Sequence, residues 1–226
     1  MLAALDFGVV RDAAPQLARG FALTLEITAA GVAGSLALGA LGAALRVADA
    51  ALPRALATAG TEFFRNTPPL VQIYFLAFAL PKLPVVGPHL VLPAVVAATL
   101  GLVLHQGAIN VEILRAGLDA VPAGQREAAQ ALGLNRVDQL RYVLVPQAVR
   151  IGLPALGNNV ISLFKNTTLV ASIGVLDLFG EANDRIAQIL VSAELFLTVG
   201  VVYVVCVVAL GVALRSLERR FATARA

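Results

Sequence analysis

The run FALTLEITAAGVAGSLALGALGAAL, residues Phe21–Leu45, decides the class of this chain. It holds one ionisable group, Glu26, and is long enough to cross a bilayer, for which about 20 apolar residues suffice. A secretory signal core is shorter, about 7–15 residues, and Ala48-Asp49-Ala50 is only a loose cleavage match, so the run reads as a retained span. Glu26 stands a turn or two inside it, within reach of the outer interface by snorkelling. Gly31, Ala33, Gly34, Ser35, Ala37, Gly39 and Gly42 make the run rich in small residues, which suits close packing of helices in lipid.

Four more stretches have the same character: Thr61–Leu80, Leu90–Val111, Ile151–Ile173 and Leu195–Leu214. Thr61–Leu80 and Ile151–Ile173 are interrupted by polar residues, Pro and Gly, which a span tolerates where it faces protein or a cavity. Composition agrees with a membrane protein. Of 226 residues 59% are apolar and 14% charged, with mean hydropathy +0.85, against about 45–50% and about 25% in soluble domains. The net charge of +3 and pI near 9.5 do not point to nucleic acid, because the basic residues are scattered between apolar runs. Cys206, the single cysteine, lies in an apolar run and has neither a disulfide partner nor metal-ligand company.

The segment Glu112–Arg150 is different. It carries Arg115, Arg126, Arg136, Arg141 and Arg150 and reads as a structured loop outside the bilayer. Val121-Pro122-Ala123-Gly124 breaks the chain, and helix formers follow from Gln125 to Gly133, where glycine can end a helix with positive φ. With five spans the termini lie on opposite sides. An outside amino terminus leaves Arg46, Arg54, the five loop arginines, Arg215, Arg219, Arg220 and Arg225 in the cytoplasm, against Arg11, Arg19, Lys82 and Arg185 outside. The positive-inside rule favours that orientation. The expected organisation is an extramembrane lead over residues 1–20, a membrane domain over 21–214 containing the loop 112–150, and a cytoplasmic tail over 215–226.

Several motifs now become specific. Glu127-Ala128-Ala129-Gln130-Ala131-Leu132-Gly133, followed by Val143-Leu144-Val145-Pro146, resembles the Glu-Ala-Ala loop of ABC importer permeases. Arg65-Asn66-Thr67-Pro68-Pro69-Leu70-Val71-Gln72 is similar to a segment of the polar amino-acid branch, the histidine, glutamine and arginine permeases, with Asn66 in place of the commoner glycine. Glu112–Gly117, Pro146–Arg150, Leu153–Asn158 and Leu163–Leu169 follow the same branch, so the likeness covers roughly Gly20 to Asp177.

The resemblance implies an all-α integral membrane protein of the type I importer fold, with about five transmembrane helices and a cytoplasmic coupling-helix loop. It implies a permease subunit of an amino-acid importer in the bacterial inner membrane, paired with an identical or homologous permease. A pair of ATP-binding subunits would dock on Glu127, Ala128, Ala129, Gly133 and Pro146, and a periplasmic or extracellular binding protein would deliver cargo. No phosphate-binding loop of the Gly-x-x-x-x-Gly-Lys-Ser/Thr kind is present, so ATP with magnesium belongs to the partner and this chain needs no cofactor, catalytic residue or metal.

Polar residues within apolar runs are candidates for the substrate path: Gln72, Asn158, Asn159, Ser162 and Lys165, with Tyr74, His105, Gln106 and Asn110 beside them. Each has an alternative role in hydrogen bonding between helices. Asn159 offers no charge, which points to neutral or polar cargo rather than strongly cationic cargo. Two other classes share part of the pattern. An ion-gradient-coupled transporter normally shows more spans and repeated halves, and a non-transporting anchor has no need of polar interruptions.

Overall fold

The computed structural model describes residues 6–84, 90–189 and 193–222. Helix α1 spans Gly8–Arg46, α2 Ala51–Asn66 and α3 Pro69–Tyr74, the last running on through Phe75–Ala79 and Leu80–Lys82 in looser and tighter turns. Then come α4 Ala94–Asp119, α5 Ala123–Ala131, the single turn α6 Arg136–Asp138, α7 Val145–Asn166, α8 Leu178–Ile189 and α9 Ala193–Ala222. Three of these, α1, α4 and α9, are long and apolar enough to cross a membrane, and a fourth span results if Arg136–Ile173 and Leu178–Ile189, bent by 40°, count as one.

The contacts fix the directions of the helices. Gly34 meets Val103 and Gly39 meets Asn110, so α1 and α4 run parallel. Asn159 meets Gln106 and Asn110, and Gly117 meets Ala148, so α7 runs against α4. Tyr203 meets Thr167, and Gly157 meets Leu214, so α9 runs against α7. The α2–α3 pair returns along α4, with Gln72 beside His105 and Ile73 beside Gly101. The chain therefore traverses the bundle five times. The second traverse is made of two short pieces rather than one helix, because Thr67–Pro68 is extended and Pro68 has no N–H to continue the ladder.

Three boundaries differ from the sequence reading. Residues 8–20, expected as a lead outside the membrane domain, are helical and continuous with the first span. There Ala13 and Leu17 bury against Leu178, Ala182, Leu195 and Val199, contacts that a local reading cannot foresee. The third span, α4, starts at Ala94, since Pro93 sets an extended entry, and continues to Asp119. The loop expected over 112–150 is correspondingly narrower, because helix resumes at Arg136.

Helix α1 packs with its small residues inward. Gly20, Thr24, Gly31, Ser35 and Gly39 are buried, while Leu25, Leu36 and Leu41 face out. In water this would be inverted. In lipid the apolar side chains need no burial, and close backbone approach supplies the packing. The same logic applies to α9, whose Val201, Val204, Val205, Val208 and Val212 are exposed. Asp177, wholly buried at the break before α8, ties three helices together. It accepts hydrogen bonds from Thr24 on α1 at 3.4 Å, Tyr203 on α9 at 3.3 Å and the Gly180 amide of α8 at 2.9 Å. The sequence reading passed over it.

Candidate functional site: an exposed loop helix and a buried polar seam

The candidate residues fall into three groups. The first is the loop helix α5. Pro122 adopts an extended conformation and starts it, and a Schellman turn ends it: the Leu134 amide donates to the Ala129 carbonyl at 3.1 Å, and the Gly133 amide to Gln130 at 2.9 Å. Gly133 has φ +73, the left-handed conformation that the turn requires. Two residues later, Asn135 Oδ1 accepts the Val137 and Asp138 amides, both at 3.0 Å, and starts the helix that returns to the bundle. Stop and restart thus fit within a few residues. Gln147 of α7 braces the helix by donating to Gln125 Oε1 at 3.1 Å.

Of residues 123–133 only Ala129 is buried; Glu127, Ala128, Leu132 and Gly133 are exposed, Leu132 to 79%. Ala129 therefore anchors α5 while Glu127, Ala128 and Gly133 face outward. Pro146 is exposed on α7, beyond the π-type turn Gln139–Leu144, and is not part of the α5 surface. A nine-residue helix with almost every side chain exposed gains little from its own chain, and marginal short helices persist by packing.

The second group is a buried polar seam. Ser35 of α1 accepts from Asn110 Nδ2 at 3.3 Å, Asn110 Oδ1 accepts from Asn159 Nδ2 at 2.7 Å, and the same Asn159 amide reaches the Gln106 carbonyl at 3.1 Å. Asn159, expected on the substrate path, is thus a bolt between α4 and α7. Gln72 has a similar task. Pro68 deprives the Phe64 carbonyl of its helical donor, and Gln72 Nε2 supplies one at 2.8 Å, with a second bond to Thr67 at 2.9 Å. His105 Nδ1 lies 3.3 Å from Gln72 Nε2 and 3.2 Å from the same Phe64 carbonyl. Gln106 is the exception: it is fully buried, and neither atom of its amide has a partner among the described residues. Leaving a buried polar group unpaired costs about 1–3 kcal/mol.

The third group, Asn158, Ser162 and Lys165, shares one face of α7 at helical spacing. Asn158 and Lys165 are exposed and Ser162 is half-buried. The structure therefore does not bring the five path candidates together: Gln72 and Asn159 close the interior, and the other three look away from it. Tyr74 is also spoken for, donating to the Ser172 carbonyl at 3.0 Å. Glu26 is exposed on α1. No cluster of His, Cys, Asp or Glu among the described residues has the form of a metal site.

At the end of the bundle that carries α5, an ionic cluster links the elements. Arg46 pairs with Glu112, Arg115 bonds Glu112 at 3.0 Å and Asp119 at 2.5 Å, and Arg136 pairs with Asp49. Arg46 thus ties the end of α1 to α4, and Arg136, which also donates to the Val47 carbonyl at 3.0 Å, ties the start of α6 to the α1–α2 connection, so α5 hangs from a braced frame.

Residues 35–223 match the family described as binding-protein-dependent transport system inner membrane component. The glutamine transport system permease protein GlnP of Escherichia coli (strain K12) is 35% identical over 215 residues, covering 95% of this chain and 97% of that one. The probable glutamine ABC transporter permease protein GlnM of Bacillus subtilis (strain 168) is 32% identical over 201 residues, 89% of this chain and 91% of its own. Among solved structures, an amino acid ABC transporter crystallised with histidines superposes with a TM-score of 0.88 at 30% identity, covering 96% of this chain and 99% of that one. An inward-facing MetNI methionine ABC transporter shares the fold, with a TM-score of 0.75 over 91% of this chain and 96% of that one.

Proposed function

The chain belongs to the family of binding-protein-dependent transport system inner membrane components, and from that premise we propose how it works as the permease of an ATP-driven amino-acid importer. The observation that carries the proposal is α5, a capped and braced helix left exposed on nearly every face. A pair of ATP-binding subunits, which hold the magnesium and ATP, docks there on Glu127, Ala128 and Gly133. This chain performs no hydrolysis itself. Closure of the nucleotide-binding pair pushes α5, and the frame around Arg46, Glu112 and Arg136 passes that push to α1, α4 and α7 as a rigid-body movement. The path then opens alternately to each side.

A second permease, identical or homologous, faces the stripe Asn158, Ser162 and Lys165 together with the exposed side of α9, and the path runs between the two. A binding protein delivers cargo from outside. The amino terminus lies outside and the carboxyl terminus in the cytoplasm, which places α5, its arginines and the tail from residue 215 on the ATPase side of a bacterial inner membrane. Two features favour an uncharged polar amino acid of the glutamine kind. GlnP and GlnM carry glutamine in their names, and the buried seam offers amides and a hydroxyl, with the Gln106 amide left for a hydrogen-bonding guest when the bundle opens.

The test is an uptake panel in proteoliposomes holding the chain, its ATP-binding subunit and its binding protein. Glutamine or another uncharged polar amino acid is expected to accumulate at least about tenfold faster than arginine or lysine, because a buried seam of amides and a hydroxyl offers a cation no carboxylate partner. Preferential uptake of arginine or lysine overturns the cargo assignment. Failure to take up any amino acid while the ATPase remains bound overturns the amino-acid reading altogether.

A further inference from the structure

Beside the loop helix lies a cavity of about 470 Å³ into which Arg46, Arg54, Arg126 and Arg136 project from α1, α2, α5 and α6. One carboxylate, Asp119, also lines it, and is engaged by Arg115. Arg46 and Arg136 have carboxylate partners in Glu112 and Asp49. Arg54 and Arg126 have none among the described residues; the sole recorded bond of Arg54 is a 3.4 Å contact to the Ala48 carbonyl. Two guanidinium groups thus remain uncompensated in a half-enclosed space, an arrangement suited to a phosphate oxygen cluster.

A second cavity, of about 360 Å³, adjoins the first, with Val47, Leu118 and Leu140 as common walls. Its remaining lining is almost entirely apolar, including Ala40, Ala44, Leu114 and Val149, with Arg141 among it. An arginine chamber opening along a shared wall into an apolar groove matches the two parts of a phospholipid. A soluble phosphate would need only the first part, and an acidic protein surface would have no use for the second.

We propose that these two cavities form one binding site for an anionic phospholipid, with the headgroup phosphate between Arg54 and Arg126 and an acyl chain in the groove beside Ala44. The site joins α1, α2, α4, α5 and the start of α7, so an occupied site braces the loop helix against the membrane domain. Basic pockets at membrane interfaces select anionic headgroups on this principle. The inference does not depend on which substrate is carried.

The test uses the full chain purified in detergent, with bound lipid counted by native mass spectrometry after addition of phosphatidylglycerol or phosphatidylcholine. Phosphatidylglycerol is expected to bind about tenfold more strongly, the scale of one or two charge-assisted hydrogen bonds. The double variant Arg54→Gln/Arg126→Gln is expected to lose that preference, and Arg54→Lys/Arg126→Lys to keep most of it. Ala44→Trp, which fills the groove without touching the charge, is expected to weaken binding of the same lipid. Equal binding of both lipids to the unaltered chain, or preference unchanged in both the glutamine double variant and Ala44→Trp, overturns the proposal. Glycerophosphoglycerol, which has the headgroup without the chains, and inorganic phosphate provide the competing arms. If either displaces the lipid at equal concentration, the site is a phosphate site and the lipid assignment fails. If the glutamine variant keeps its lipid but loses the co-purified ATP-binding subunit, the arginines serve protein docking and the assignment also fails.

Discussion

Replacing Gly133 by leucine is expected to leave a protein that inserts and folds but transports at less than about a tenth of the normal rate. The position has φ +73, where a side chain costs about 1–2 kcal/mol, well below a typical stability of about 5–15 kcal/mol. A Cβ there meets nothing within 4 Å among the described residues, so the fold has no steric objection. The expected obstacle is external: leucine projects from the end of α5 into the surface proposed to receive the ATP-binding subunit, and the strained turn alters the angle at which the helix presents Glu127. Gly133→Asn is the informative companion, because asparagine tolerates the left-handed conformation and is smaller. It is expected to retain more transport than leucine. The measurement is uptake in proteoliposomes with recovery of the ATP-binding subunit on the tagged permease. Normal uptake and recovery in Gly133→Leu removes α5 from the coupling role.

The second large effect concerns assembly of the membrane domain. In Gly39→Leu the first added carbon would stand 2.5 Å from Asn110 Cβ and 3.3 Å from its backbone carbonyl carbon. Neither can retreat cheaply, since Asn110 belongs to α4, the helix against which α1 packs most extensively. Forcing α1 and α4 apart also parts Ser35 from Asn110 and loosens the seam that bolts α7. Overpacking alone costs about 1–3 kcal/mol, and a backbone obstacle pushes the cost to the top of that range or past it. Recovery of monodisperse protein from membranes is expected to fall severalfold, with a lower thermal midpoint and a smaller loss for Gly39→Ala. Gly200→Leu, on the exposed α9 with nothing within 4 Å, is the control and is expected to behave normally. Equal behaviour of the two leucine variants contradicts the account of α1 packing.

The glycine at position 133 was legible in the sequence because the cause is local. A helix of small residues must stop and another must start within three or four residues, and only a residue at ease with positive φ does so cheaply. The interrupted second traverse was legible for the same kind of reason, since Pro68 and Pro69 announce the break. The role of Gln72 was half legible: the carbonyl that Pro68 orphans is Phe64, four residues back, but no local rule says that Gln72 satisfies it. Asn159, a polar group in an apolar run, left two readings open in the sequence, a path residue or a hydrogen bond between helices, and nothing local names the partner helix. Its partners, Gln106 and Asn110, sit 53 and 49 residues away, a distance that periodicity does not span. Asp177 carries no local signature of its role, since its partners come from α1, α8 and α9. Residues 8–20 looked like a lead because they precede the first apolar run, yet Ala13 and Leu17 find a core made by the last two helices.

If α5 couples transport to ATP, cargo moves through this chain without any ion gradient. The direct measurement is accumulation of labelled amino acid in proteoliposomes containing the chain, its ATP-binding subunit and its binding protein, with ATP present or absent and with ionophores that collapse proton and sodium gradients. Uptake is expected to require ATP and the ATP-binding subunit, and to continue when the ionophores are added. Uptake that persists without ATP and stops when the ion gradients collapse contradicts the account.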